Sequence, residues 1–338
     1  MSLKKFFNNL REIEIDLAWC HWNRLGAMGN GKMNLCSTDP EALILLTSIV
    51  GPYDSRLVEV MMEWLDRYEP LISIERLKRY VRELEADKSD SEAFDILRAL
   101  VLKQRTARWK SISNFFGANA LKYEQKSDKG RPRKLDIHEK IIQRNLQLYL
   151  RLMFGVGTRA DVIYYSLVVF EQRKNAEWFI SAPQISKMLH YNNSSIHRTI
   201  KDLEQAGFLA ADPTKKIGKN KAYSLNFNKI GETTKNIFRW ERQNKHYVDW
   251  FKVVKLFLLT EHLERQLEGI SDDSIIKSRL QDYIRSCSLL MDEARIDIED
   301  QFGAQGLYPA LVRVGLDELE SKAISQINGI YKFITSRG

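Results

Sequence analysis

Residues 194–206 constrain the fold more tightly than any other stretch of this sequence. Ile196, Ile200 and Leu203 recur at helical spacing, while Ser194, His197, Arg198 and Lys201 fall on the opposite face, so a helix here has one buried seam and one polar side. Gly207 stops it, because glycine alone enters the left-handed conformation without cost. Residues 208–210 and 222–225 then read as two strands, and the loop between them, residues 212–221, carries Lys215, Lys216, Lys219 and Lys221. Upstream, residues 181–189 read as a short helix capped by Ser181, and residues 191–193 as a turn in which an asparagine is left-handed. Thr158, with Asp161 three residues on, forms a near capping box at the start of a further helix, and residues 178–180 are a short β-prone run.

Helix, strand, helix, turn, helix and basic hairpin, in that order, resemble the winged helix-turn-helix of MarR-like and ArsR-like bacterial regulators. The matching strings are Ile185-Ser-Lys-Met-Leu189 and Ser194-Ser-Ile-His-Arg-Thr-Ile-Lys-Asp-Leu-Glu-Gln-Ala-Gly-Phe-Leu209, within residues 157–226. The resemblance implies a DNA-binding transcriptional regulator whose second helix lies in the major groove while the wing touches phosphates or the minor groove. The residue chemistry agrees. Asn193, Ser194 and Ser195 are short enough for close approach, His197, Arg198 and Lys201 are longer donors further along, and the four lysines suit phosphates. The other reading is a non-catalytic module that docks a protein or an RNA on the same surface.

Charge is localised. Between Val101 and Ala160 there are 14 Lys and Arg against 4 Asp and Glu, a net +10, whereas the whole chain carries +8, so the remainder carries −2. Within this basic stretch, residues 129–134 resemble the core of an AT-hook, with Arg131 and Arg133 as minor-groove candidates. The plainer reading of the same residues is a solvated linker.

The flanks are helical in texture. Thr38-Asp-Pro40 is an N-cap followed by Pro near the first turn, and Ala42 to Val50 supplies an apolar helix that stops at Gly51-Pro52. Asp54 or Ser55 caps a stripe of Leu57, Val58, Met61, Met62 and Leu65, and Ser73 caps another of Ile74, Leu77, Val81 and Leu84. Beyond residue 232, residues 240–269, 274–300 and 316–334 are long amphipathic runs. One face is headed by Val253, Phe257 and Leu258 and another by Ile284 and Leu289, which suits a bundle and a homodimer. The expected fold is therefore mainly α in four parts: an N-terminal helical domain (1–125), a basic linker with a connecting helix (126–156), a winged helix-turn-helix (157–232) and a C-terminal helical bundle for pairing or sensing (233–338).

Nothing in the sequence points to catalysis, a metal or a cofactor. Cys20, Cys36 and Cys287 are too far apart for a zinc knuckle, and the six histidines show no ligand spacing. Asp297, Glu299 and Asp300 read as a solvated acidic face. Gly26-Ala-Met-Gly-Asn-Gly-Lys32 matches a phosphate-binding loop by letter, but Met33 replaces the hydroxyl residue and no clear strand precedes it. The seven tryptophans read as core rather than as a ligand cage. Cysteine usage and the absence of a long apolar run suggest a cytoplasmic protein with double-stranded DNA as partner and no membrane; an effector molecule is left open.

Overall fold

A computed structural model describes residues 3–27, 38–85, 93–103, 108–110, 112, 145–172, 179–226, 249–270 and 272–294. Over these residues the chain is mainly helical, with one two-stranded antiparallel sheet. No helix among the described residues is long and apolar enough to cross a membrane. Arg131, Arg133, Cys36, residues 240–248, the acids Asp297, Glu299 and Asp300 and the expected helix 316–334 lie outside the described residues.

The first core is built from both ends of the chain. Helix α2 (Pro40–Val50) is mostly apolar and buried along its whole length, with Glu41, Thr47 and Ser48 among its buried residues, so its neighbours wrap around it. Within the Thr38-Asp-Pro40 string it is Asp39 that caps the helix, accepting from the Ala42 amide at 3.1 Å. Around it pack α1 (Leu3–Arg24), α3 (Ser55–Tyr68), α4 (Ile74–Glu85) and α5 (Ala93–Lys103), and from far along the sequence α10 (Trp250–Leu267), which carries α11 (Asp273–Ala294). The join between α2 and α3 is tight: a Cβ at Gly51 would sit 2.6 Å from Val58 Cγ2 and 2.7 Å from Ile96 Cδ1. Asp54 caps α3, and the stripe Leu57, Val58, Met61, Met62 and Leu65 is buried as its spacing predicts.

Three tryptophans, Trp22, Trp64 and Trp109, are fully buried. Their indole N–H groups are satisfied, Trp22 by Thr47 Oγ1 at 2.7 Å, Trp64 by the Leu25 carbonyl at 3.2 Å and Trp109 by Glu69 Oε1 at 2.9 Å. They are core residues. His21 is sealed beneath Trp250 and hydrogen-bonded to Thr38, and burial pushes its pKa down to about 3, so it is neutral. Burial pushes the Cys287 thiol up to about 12, which leaves it unreactive at neutral pH.

The segment 12–17 belongs to the long helix α1, so the stretch ahead of Gly26 is not the strand that a phosphate loop requires, in keeping with the sequence reading. One expectation is corrected in this body. Val253, Phe257 and Leu258 are buried against the N-terminal helices inside one chain, which removes them as a pairing face; on α11, Ile275 and Leu289 are exposed. The stretches read as separate N-terminal and C-terminal domains share this one core.

The second core is continuous in sequence. It comprises α6 (Leu146–Phe154), α7 (Thr158–Gln172), α8 (Ala182–Leu189), α9 (Asn193–Gln205) and the hairpin β1 (Leu209–Ile217) and β2 (Asn220–Leu225). Ile196, Ile200 and Leu203 of α9 form its buried seam. Ile180 makes an antiparallel bridge to Tyr223 with reciprocal backbone bonds of 2.8 and 2.9 Å, so the short run ahead of α8 lies against β2. The hairpin strands are longer than their sequence pattern suggests and turn at Gly218, where φ is +61°. The register shifts between Asp212 and Lys216, which loops out three residues of β1.

Candidate nucleic-acid interface

Helix α9 exposes Asn193, Ser194, His197, Arg198 and Lys201, and half-buries Ser195. The seam of Ile196, Ile200 and Leu203 dictates this, since it fixes which side of the helix meets the core. Arg198 and Lys201 form no ion pair among the described residues. The neighbouring acid Asp202 is taken by Arg159 of α7 at 2.8 Å. Thr199, on the inner side, hydrogen-bonds Thr158 at the start of α7 and so fixes where the two helices cross.

The hairpin presents three lysines together. Lys216 and Lys221 are direct cross-strand partners, Lys219 sits in the turn, and all three are exposed and without an ion pair among the described residues. Like charges placed opposite each other on a ladder are destabilising, so this tip has an electrostatic cost that a bound anion would relieve. Lys215 differs from its three companions: its ammonium lies 4.4 Å from the centre of the Phe179 ring, in a cation–π contact.

Beneath the turn that leads into α9 lies a buried polar cluster that sequence reasoning missed. Arg151 of α6 is completely buried and spends all five of its N–H groups. It donates to Glu41 at 2.6 and 3.0 Å, to Asp161 at 3.0 and 2.9 Å, and to the Leu71 carbonyl at 3.0 Å. Arg76 of α4 pairs with Asp39 and Glu41, and its Nε donates to the Leu189 carbonyl at the end of α8 at 3.0 Å. Burial works against charge on Asp161, but the Arg151 guanidinium overcomes it and holds that carboxyl below its ordinary range. Asp161 therefore does not close a capping box on Thr158; its oxygens are committed to Arg151, Gln147 and Tyr191.

The turn between α8 and α9 plugs into this cluster. Tyr191 is buried and its hydroxyl contacts Asp161 Oδ2 at 2.8 Å and Ser73 Oγ at 2.9 Å. The left-handed residue of the turn is His190, with φ +55° and ψ +42°, rather than an asparagine. Asn192 is extended and caps α9 by position alone. The His190 ring packs edge-on to Tyr80 and Phe251, and its two nitrogens face Glu83 Oε2 at 3.3 Å and Asp249 Oδ2 at 3.2 Å. A non-glycine residue at positive φ persists where its surroundings over-determine it, and here they do.

Of the residues singled out from sequence, the structure groups Asn193, Ser194, Ser195, His197, Arg198 and Lys201 on one helix side and Lys216, Lys219 and Lys221 at one hairpin end. Lys215 turns to Phe179, and Arg131 and Arg133 fall outside the described residues. No group of three or more metal-ligating side chains occurs among the described residues. No protein-family model, curated protein or solved structure matches the chain.

Proposed function

We propose that residues 157–226 form a winged helix-turn-helix that binds double-stranded DNA, with α9 as the reading helix and the hairpin as the wing, in the service of transcriptional regulation. The observation that carries the reading is the combination of uncommitted cations: Arg198 and Lys201 on the outer side of α9, and Lys216, Lys219 and Lys221 at the hairpin end. A guanidinium on a helix suits bidentate contact with guanine in the major groove, and ammonium groups suit phosphates. The Ile180–Tyr223 bridge supports the same reading, because it gives the segment the helix, strand, helix, helix, hairpin order of that architecture.

A single reading helix spans few base pairs, and a second copy held by a dyad would extend the site. Since Val253, Phe257 and Leu258 are consumed within one chain, such pairing has to use other surface. Selection of bound sequences from a random duplex pool, followed by anisotropy titration of the winner and of a scrambled duplex, tests the proposal. A winner that binds at least tenfold more tightly than the scramble is the expected outcome. Equal, salt-insensitive binding, or no binding, would transfer the surface to a protein partner.

A further inference from the structure

His190 stands between two carboxylates, and the geometry constrains its charge. A neutral imidazole has one N–H and one lone pair, so it donates to one carboxylate and sets its lone pair against the other. Only the imidazolium donates from both nitrogens. Glu83 Oε2 lies 3.3 Å from Nδ1, while Asp249 presents both oxygens to Nε2, at 3.3 and 3.2 Å. Asp249 occupies the N-cap position of α10 yet makes no side-chain cap bond; its carboxylate is turned to His190 instead of to its own helix. These contacts come from three parts of the chain: α4, the turn ahead of α9, and the start of α10.

We propose that His190 is a positioning residue of the DNA-reading unit, an imidazolium clamped between Glu83 and Asp249 whose charge fixes the turn from which α9 departs; the effect on DNA rests on the function proposed above, whereas the clamp does not. The charged groups around it are consistent with this. On α4, Glu83 is shared with Arg79 at 2.9 Å, and the Arg76 guanidinium is occupied by Asp39, Glu41 and the Leu189 carbonyl. From α10, Lys255 reaches the Phe251 ring, with its ammonium 5.4 Å from the ring centre. On α8, Lys187 is exposed. Burial works to depress the His190 pKa, but bonding to Asp249 and Glu83 outweighs it and leaves the group raised above its ordinary 6.5. The clamp is thus complete below pH 6.5 and is lost as pH rises through the folded-state value.

The test uses the full chain. Ring-nitrogen NMR titration should show both His190 nitrogens protonated at pH 6 and a midpoint above the ordinary 6.5; a single N–H on that ring at pH 6 would overturn the proposal. Amide exchange along residues 193–205, corrected for intrinsic rates, should accelerate as pH rises from 6.5 to 9. Asp249→Asn and Glu83→Gln should raise exchange by about tenfold at pH 6.5 and flatten this pH dependence, the scale expected for one charge-assisted hydrogen bond. His190→Asn tolerates the left-handed backbone and should behave alike. Identical exchange profiles in native protein and variants would overturn the clamp whether or not DNA binds. Affinity for a selected duplex should weaken over the same pH window in native protein alone. If exchange follows the expected pattern while affinity is equally pH-dependent in His190→Asn, the positioning role fails.

Discussion

The Tyr191 hydroxyl lies 2.8 Å from Asp161 Oδ2 and ties the residue two places before α9 to the helix on which α9 rests. Asp161 is at the same time the carboxylate that Arg151 grips from α6, so the turn, the supporting helix and the body meet in one buried set of bonds. These bonds anchor the turn that leads into α9, while the seam of Ile196, Ile200 and Leu203 decides which side of that helix faces outward.

Tyr191→Phe should therefore act mainly on stability. The variant keeps the ring and leaves Asp161 and Ser73 each short of a partner, at about 1–3 kcal/mol. Urea unfolding followed by circular dichroism reads this directly. An unchanged midpoint would mean that the hydroxyl contributes nothing net.

Arg151→Lys is predicted to be far from conservative. An ammonium has three donors where the guanidinium uses five, and Glu41 and Asp161 would remain buried with incomplete pairing. A loss of about 3–5 kcal/mol is expected, the range for breaking a buried pair from one side. Thermal melting decides it, and a loss under about 1 kcal/mol would contradict the account.

Glu83→Gln supplies an acid-limb prediction. The His190 and Arg79 groups bonded to Glu83 overcome its burial and pull its pKa down to about 2. Its contribution is present above the ordinary glutamate value and disappears as pH falls through the folded one. The stability gap between native protein and Glu83→Gln should shrink steadily from pH 6 to pH 4 to pH 3 in urea titrations. A constant gap would show that ionisation of Glu83 is not what the pair depends on.

Arg198→Ala should lower affinity for a selected duplex more than for a scrambled one, by about 1–3 kcal/mol of discrimination. Competition titrations with both duplexes measure it. Equal losses would assign Arg198 to phosphate.

Neutralising Lys216, Lys219 and Lys221 together should weaken binding to all sequences alike. For each phosphate contact removed, the slope of log affinity against log salt should fall by about 0.9. Titrations at four salt concentrations give the slope, and an unaltered slope would place the hairpin off the nucleic acid.

Local rules made the helices and hairpin of residues 157–226 legible and long-range chemistry hid their foundation. Asp39, Asp54 and Gly207 act within a turn of where they stand, so a residue string suffices to place them. The seam of α9 is likewise local. Arg151 sits in the basic middle of the chain and counts there as surface charge, because Glu41, 110 positions away, is invisible as its partner. The left-handed residue was missed for the same reason: asparagine is the local favourite, but His190 is held there by Glu83, Asp249, Tyr80 and Phe251, all distant in sequence.

The shared first core sets an order of events on the ribosome. Helices α1 to α5 leave the exit tunnel early, yet Trp250, Phe251, Val253 and Phe257, which close their core, are synthesised more than a hundred residues later. The intervening segment from α6 to β2 owns a core contiguous in sequence and can form while the body stands open. A nascent chain halted after residue 226 would hold α9 and the hairpin attached to an unfinished scaffold with its apolar wall bare. The closure that buries the wall is the same event that brings Asp249 to His190.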